Sequence, residues 1–241
     1  CALPIYDIFI FSNSVEEHEA HIYLVLLALE FGGMKFSIFK CSFFTDGVKI
    51  LGYHVDPKNA MIGIDQIKGS SILNWEKPNA LNVLQSRLFA LRYWSRFIPY
   101  LNDVSYPLTQ LMRTKEFKWS KEHDTAWLKI KSLILADLRL KIPQSSDKLV
   151  LFVDACKITI SAVLFVEIAD NKLHPVGCFS KLLALSEVNR SIYLKEVFSL
   201  VEALKHFRPY ILNSDHPTTV FTDSLSIMYA NRNKHINSSC N

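Results

Sequence analysis

The chain has 241 residues, 49% of them hydrophobic and only seven glycines, enough to bury a sizeable core and to build two domains of ordinary size. Its formal net charge of +4 is unevenly spread: residues 60–140 hold 12 Lys/Arg against 7 Asp/Glu, and residues 1–59 hold 4 against 7. Five scattered cysteines (Cys1, Cys41, Cys156, Cys178 and Cys240), with no C-x-x-C pair and no Cys/His ligand spacing, argue against a zinc site or a disulfide framework and for a reducing, intracellular setting.

The first element, Leu3-Pro4-Ile5-Tyr6-Asp7-Ile8-Phe9-Ile10-Phe11-Ser12, is strand-like and sets one carboxylate among apolar residues. Such an aspartate is costly unless paired or bound to a metal. Either Asp7 stands at a strand end facing water, or it belongs to a site whose other parts lie elsewhere. The opening residues lack the charged region and cleavage site of a signal peptide, and a start in strand-like sequence without Met reads as a piece cut from a longer chain. No apolar run reaches the roughly 18 residues of a membrane span, so no membrane partner is expected.

Ser14-Val15-Glu16-Glu17 is a capping box, the apolar residues Ile22, Val25, Leu26 and Leu29 follow it, and Gly32-Gly33 supplies a stop, which predicts a helix over 15–31. Val48 to Val55 reads as a strand and Asp56-Pro57-Lys58-Asn59 as a turn. Helices are expected over 64–75, 80–97 and 121–136, the last behind a Ser120 cap. This basic middle also carries Trp75, Tyr93, Trp94 and Trp119. Cations interleaved with aromatics suit a surface that tracks a nucleic-acid backbone, and a solvated helical face with its aromatics turned inward gives the same pattern.

At Pro143-Gln144-Ser145-Ser146-Asp147 the character changes, and the order becomes strand, strand, strand, helix, strand. Leu149 to Val153 is a buried-strand run ending in Asp154, and Thr218 to Thr222 is another ending in Asp223. The helix expected from Ser186 to Tyr210 presents Tyr193, Val197, Leu200, Val201 and Leu204 as an inward stripe, with Glu196 on its edge. Three carboxylates at strand ends and a core-facing helix edge are what a hard divalent cation gathers.

Phe152-Val153-Asp154-Ala155-Cys156, Lys172-Leu173-His174-Pro175-Val176, Tyr193-Leu194-Lys195-Glu196, Ala203 to Tyr210 and Phe221-Thr222-Asp223 resemble the ribonuclease H domain of gypsy-type LTR retrotransposon Pol polyproteins. Asp7 to Ser12, Glu17-His18, Lys40 to Phe44 and Leu51-Gly52-Tyr53 resemble the end of the reverse transcriptase palm, and Arg96-Phe97-Ile98-Pro99, Pro107-Leu108 and Phe117 to Ser120 its thumb.

The resemblance implies an α/β (α+β) chain with a palm remnant over 1–59, a helical thumb and connection over 60–146, and a ribonuclease H-like domain with a mixed sheet and packed helices over 147–241. It implies RNA/DNA hybrid or duplex nucleic acid as the partner, with the remainder of the polyprotein as a second. Arg87, Arg92, Arg96, Arg113 and Lys118 are the expected backbone contacts. Asp154, Glu196 and Asp223 are the expected catalytic ligands of Mg2+ or Mn2+, and Asp7 the remnant of the polymerase motif.

Departures from the family pattern limit what is expected. Tyr6 stands where the motif's first aspartate belongs, and Pro4 where its tyrosine belongs. Leu88-Phe89-Ala90-Leu91 replaces a small-residue turn in the thumb. A fourth acid and a histidine of the family's later helix have no counterpart before Asn241. Polymerisation is therefore not expected, and the residual alternatives are a metal-dependent ribonuclease H and a non-catalytic interaction module.

Overall fold

A computed structural model describes residues 8–114, 116–135 and 139–224. The chain divides into two compact units, Cys1–Thr45 and Asp46–Asn241.

In the first unit, helix α1 runs Val15–Phe31, as the capping box predicts. Ser14 Oγ accepts the Glu17 N–H at 3.2 Å, which satisfies one of the amides a helix start leaves open, and Glu17 Oε2 accepts the N–H of Asn13, the residue before the cap, at 2.7 Å. Gly32 returns its N–H to the Ala28 carbonyl, and Gly33 follows at φ 64°.

The second unit opens with a hairpin where the sequence reads as one strand. Strands β1 (Val48–Ile50) and β2 (Tyr53–Asp56) pair with Ile50 opposite Tyr53, and Leu51 and Gly52 turn between them at φ 48° and 84°. Two positive φ values in a two-residue loop match the right-handed twist of the flanking strands. Gly52 has a second reason to be glycine: a Cβ there would stand 2.9 Å from the Trp94 ring. Strand β3 (Met61–Ile64) precedes helices α2 (Gln66–Leu73), α3 (Leu81–Tyr93), α4 (Leu101–Val104), α5 (Tyr106–Leu111) and α6 (Lys121–Leu135), and β4 (Arg139–Lys141) returns to pair with β3. Thus the stretch read as wholly helical also supplies two strands of an antiparallel sheet ordered β1-β2-β3-β4. Both strands are short; β3 folds back on the neighbouring β2, whereas β4 forms on a partner some eighty residues away, which no local pattern announces.

The helices bury Leu84, Leu88 and Leu91 of α3, Leu108 of α5, and Trp127, Ile130 and Ile134 of α6, with Trp94 and Phe97 between them. Trp75 stacks on Trp127 at 6.5 Å, and Trp119 donates its indole N–H to Asp124 at 2.7 Å. Most of the aromatics in the basic stretch are therefore turned inward, while Tyr93 remains half exposed.

After the polar boundary come β5 (Lys148–Ala155), β6 (Thr159–Ile168), β7 (Lys172–Leu182), α7 (Leu185–Val188), α8 (Ile192–His206), α9 (Arg208–Ile211) and β8 (Thr219–Thr222), the expected order of elements. The second sheet is ordered β7-β6-β5-β8; β5, β6 and β7 are antiparallel, and β8 lies parallel to β5. A mixed α/β architecture with packed helices is what the sequence leads one to expect.

Helix α8 is rotated from its expected phase. Lys195, Ser199 and Ala203 are buried, whereas Tyr193, Val201 and Leu204 are 43%, 40% and 37% exposed. The small side chains at 199 and 203 let the helix lie close to Leu151, Val153, Ala162 and Leu164 of the sheet, and size decided the contact where hydrophobicity had suggested another face.

Candidate functional site

Asp154 and Asp223 are delivered by the parallel β5–β8 pair. Val153 lies opposite Thr222, so the pair runs into the two acids together, Asp154 within β5 and Asp223 just past the end of β8. Asp154 pairs with Ser161 across β6, which puts its side chain on the face of the sheet opposite α8. Burial, then the negative charges of Asp223 and Asp103, hold the Asp154 carboxyl above the ordinary aspartate value.

Glu196 comes from α8 and reaches the rim of the same strand ends, where its Oε2 accepts a hydrogen bond from the buried Ser224 hydroxyl. The structure thus joins Asp154 to Asp223 electrostatically and ties Glu196 to the residue that follows Asp223. Among the described residues, no three His, Cys, Asp or Glu side chains stand together closely enough to hold a metal ion. The donor set still suits a hard cation, since all three groups are carboxylates and burial with neighbouring negative charge disfavours the ionised form of Asp154.

Several residues that shape these strand ends carry no sequence signal of their own. Ser199 donates to the Asp154 carbonyl at 2.9 Å, and Lys195, 6% exposed, donates to the Lys157 carbonyl at 3.0 Å. On the other face, Asp103 of α4 accepts hydrogen bonds from Thr159, from Ser161 at 3.0 Å and from the Cys156 thiol at 3.1 Å. For Asp103, Lys195 and Ser199, polarity at a helix position reads as solvent exposure until the opposing turn is known.

The expected nucleic-acid contacts fall into two groups. Arg92 and Arg113 are exposed and line one cavity of about 280 Å³ with Gln85, Thr109, Leu81 and Met112. Lys118 is also exposed and pairs with Glu116 at 2.6 Å. Arg87 instead lies 5.8 Å from the rings of both Trp75 and Trp127 and donates to the Glu76 carbonyl. Arg96 donates to the Tyr210 hydroxyl at 3.0 Å, linking the helical region to α9. Asp7, the remnant of the polymerase motif, lies outside the described residues. No helix among the described residues is long and apolar enough to cross a membrane.

Comparison with known proteins agrees with this geometry. Residues 119–220 match the family model of the RNase H-like domain found in reverse transcriptase. The chain is similar to the transposon Tf2-3 and Tf2-7 polyproteins of Schizosaccharomyces pombe, at 29% identity over 223 residues, covering 92% of this chain and 17% of either polyprotein. It therefore spans about a sixth of the length of the curated relatives it matches. Its fold is similar to that of the foamy viral protease-reverse transcriptase solved in complex with dsDNA (TM-score 0.70, 22% identity, 92% of this chain and 46% of that one). The same holds for that protein in complex with RNA/DNA hybrid (TM-score 0.70, 21% identity, 93% and 30%). Residues 119–220 are thus similar to the RNase H-like domain found in reverse transcriptase, and most of the chain is similar to part of LTR retrotransposon polyproteins.

Proposed function

We propose that the chain is a reverse transcriptase/ribonuclease H piece that contacts RNA/DNA hybrid or duplex through its helical region and offers an acid site at the strand ends of its ribonuclease H-like domain. The observation that supports this reading is the parallel pairing of β5 with β8, in which Val153 lies opposite Thr222 and each is followed by one of the two aspartates. Three regions go with it: a palm remnant over 1–59, a thumb and connection over 60–146, and the ribonuclease H-like domain over 147–241.

Asp154 and Asp223, with Glu196 at the rim, would hold Mg2+ or Mn2+. Bound there, the cation would supply a polarised water and neutralise charge developing at a phosphate. The chain's own part is to present the carboxylates: Ser199 fixes the backbone at Asp154, Ser224 holds Glu196, and two like charges stand close enough that a cation relieves them. Arg92, Arg113 and Lys118 are the exposed cations available to phosphates, and Arg87 and Arg96 support them by holding the helices. With Tyr6 where the resemblance calls for an aspartate, template-directed extension of a primer is not expected.

The test is cleavage of an end-labelled RNA/DNA hybrid by the purified chain in Mg2+ or Mn2+, beside the Asp154→Asn and Asp223→Asn variants. Cleavage lost in both variants supports a ribonuclease H. A second reading is a hybrid-binding module without chemistry, in which the exposed Arg92 and Arg113 beside one cavity would serve binding alone. Salt-sensitive hybrid binding without cleavage would establish that reading in its place.

A further inference from the structure

Residues of α3 and of the end of α5 line one cavity of about 280 Å³, and its wall is divided by chemistry. From α3 come Leu81, Gln85 and Arg92, whose spacing puts them along one side of the helix. Thr109 of α5 joins them, with Met112 and Arg113 just past the helix end. Two guanidinium groups, a hydroxyl and an amide thus share one space with two apolar side chains.

Both arginines are placed by their surroundings. The Arg92 guanidinium carbon lies 5.4 Å from the centre of the Phe89 ring, about one turn earlier on α3, so a face of the group is engaged while its N–H edge stays available. Arg113 leaves α5 in a closed turn. Its own N–H goes to the Gln110 carbonyl at 2.9 Å, the Thr114 N–H goes to the Leu111 carbonyl at 3.2 Å, and the Thr114 hydroxyl lies 2.7 Å from that same carbonyl.

Among the described residues, no ion pair joins Arg92 or Arg113 to a carboxylate. Glu116, the acid nearest to Arg113 in sequence, pairs with Lys118 instead. Two like charges around one cavity repel, and an anion seated there removes that cost.

We propose that this cavity is a phosphate site, in which Arg92 and Arg113 clamp one phosphate group together while Thr109 and Gln85 donate to its remaining oxygens. The proposal deepens the nucleic-acid reading above and takes its biological ligand from it: a backbone phosphate of the hybrid, held by two arms rather than met by two separate contacts. A free phosphate monoester carries the same chemistry and is the other source.

The cavity's size and donors select this ligand. Its volume stands at the small end of ligand sites, which run roughly from 300 to 1,000 Å³, so it suits a single group better than a whole nucleotide. Each guanidinium brings a planar fork of N–H donors, and together with Thr109 and Gln85 they exceed what the two oxygens of a carboxylate accept. The tetrahedral oxygens of a phosphate use them. Leu81 and Met112 make part of the wall apolar, which strengthens charge-assisted hydrogen bonds beside it.

The experiment uses the whole chain and two probes. The first is inorganic phosphate, added without metal or nucleic acid at constant ionic strength against chloride, with the arginine side-chain N–H signals followed by nitrogen-15 NMR. Two arginine signals should shift saturably, and they should be the ones missing from the Arg92→Lys and Arg113→Lys spectra. Arg92→Ala and Arg113→Ala should each abolish the response of the remaining partner. No saturable shift, or the same shift on adding chloride alone, would overturn the proposal.

The second probe is a labelled RNA/DNA hybrid, bound at several salt concentrations by wild type, the two Ala variants and the double variant. One shared phosphate predicts that each single variant and the double variant lose the same slope of log K against log salt, about 0.9, because a clamp without one arm releases its phosphate. Two independent contacts would cost the double variant about 1.8 and overturn the proposal. Displacement of inorganic phosphate by unlabelled hybrid supports the backbone as the source; phosphate that stays bound as hybrid saturates supports the site with a free monoester as its ligand. If the chain binds no hybrid, the nucleic-acid reading fails and the phosphate titration alone decides the site, so the two failures remain distinguishable.

Discussion

Val153 and Thr222 lie opposite each other in the parallel β5–β8 ladder, and each is followed at once by an aspartate. Backbone register thereby brings two aspartates to the same end of the sheet. Their mutual repulsion is built into the fold.

The first prediction follows from that repulsion. A cation that binds only the folded chain stabilises it by RT ln(1 + [L]/Kd), so millimolar Mg2+ or Mn2+ should raise the melting temperature. Asp154→Asn should remove this response and, at neutral pH, raise the metal-free melting temperature, since one of two adjacent like charges disappears at nearly constant volume. Thermal melts at several metal concentrations read both effects. A variant that is less stable without metal and still responds to it would make Asp154 a structural residue.

Much of this arrangement could be read in the sequence, and the missing parts share a cause. Helix α1, the order of elements after the polar boundary and the strand-end aspartates follow from capping residues and hydrophobic runs, which act over a few positions. The β1–β2 hairpin was hidden because Leu51-Gly52 interrupts an apolar run without the usual Asn or Asp, and β4 because its partner β3 is distant in sequence. Asp103, Lys195 and Ser199 escaped notice because each is polar only toward a turn that the chain brings up from elsewhere.

The phase of α8 gives a second prediction. Ala203 is fully buried against the sheet, so Ala203→Leu should destabilise the chain by about 1–3 kcal/mol through overpacking. Val201 is 40% exposed, and Val201→Thr should stay within about 0.5 kcal/mol of wild type. Chemical denaturation of the two variants compares the faces directly. The reverse ranking would restore the stripe that hydrophobicity alone suggests.

Two groups should shape the pH dependence with opposite signs. His206 is held below its ordinary 6.5 by burial and then by the charge of Arg96, so the unfolded chain takes up its proton more readily. Its contribution is present above that value and lost as pH falls through the folded value, and His206→Gln should flatten stability on the acid side of neutrality. Asp154 is raised above its ordinary 3.8, so its contribution is present at lower pH and lost as pH rises through its folded value. Asp154→Asn should flatten that second slope. Denaturant midpoints across the acid range separate the two, and a His206→Gln profile parallel to wild type would exclude the first.

The last prediction separates cations that touch a partner from cations that hold the fold. Arg92 and Arg113 are exposed and face one cavity, so each should contribute to hybrid binding by displacing counterions. Replacing either with Ala should weaken binding to RNA/DNA hybrids of different sequence alike and reduce the slope of log K against log salt by about 0.9. Arg87 lies beside Trp75 and Trp127 with its guanidinium on the Glu76 carbonyl, so Arg87→Ala should act first on stability, lowering the melting temperature while the binding slope of the remaining folded protein stays near wild type. Fluorescence anisotropy with a labelled hybrid at several salt concentrations, read beside thermal melts of the same variants, distinguishes the two roles. A lost slope unit in Arg87→Ala, with none lost in Arg92→Ala or Arg113→Ala, would move the contact surface to the tryptophan side of the helices.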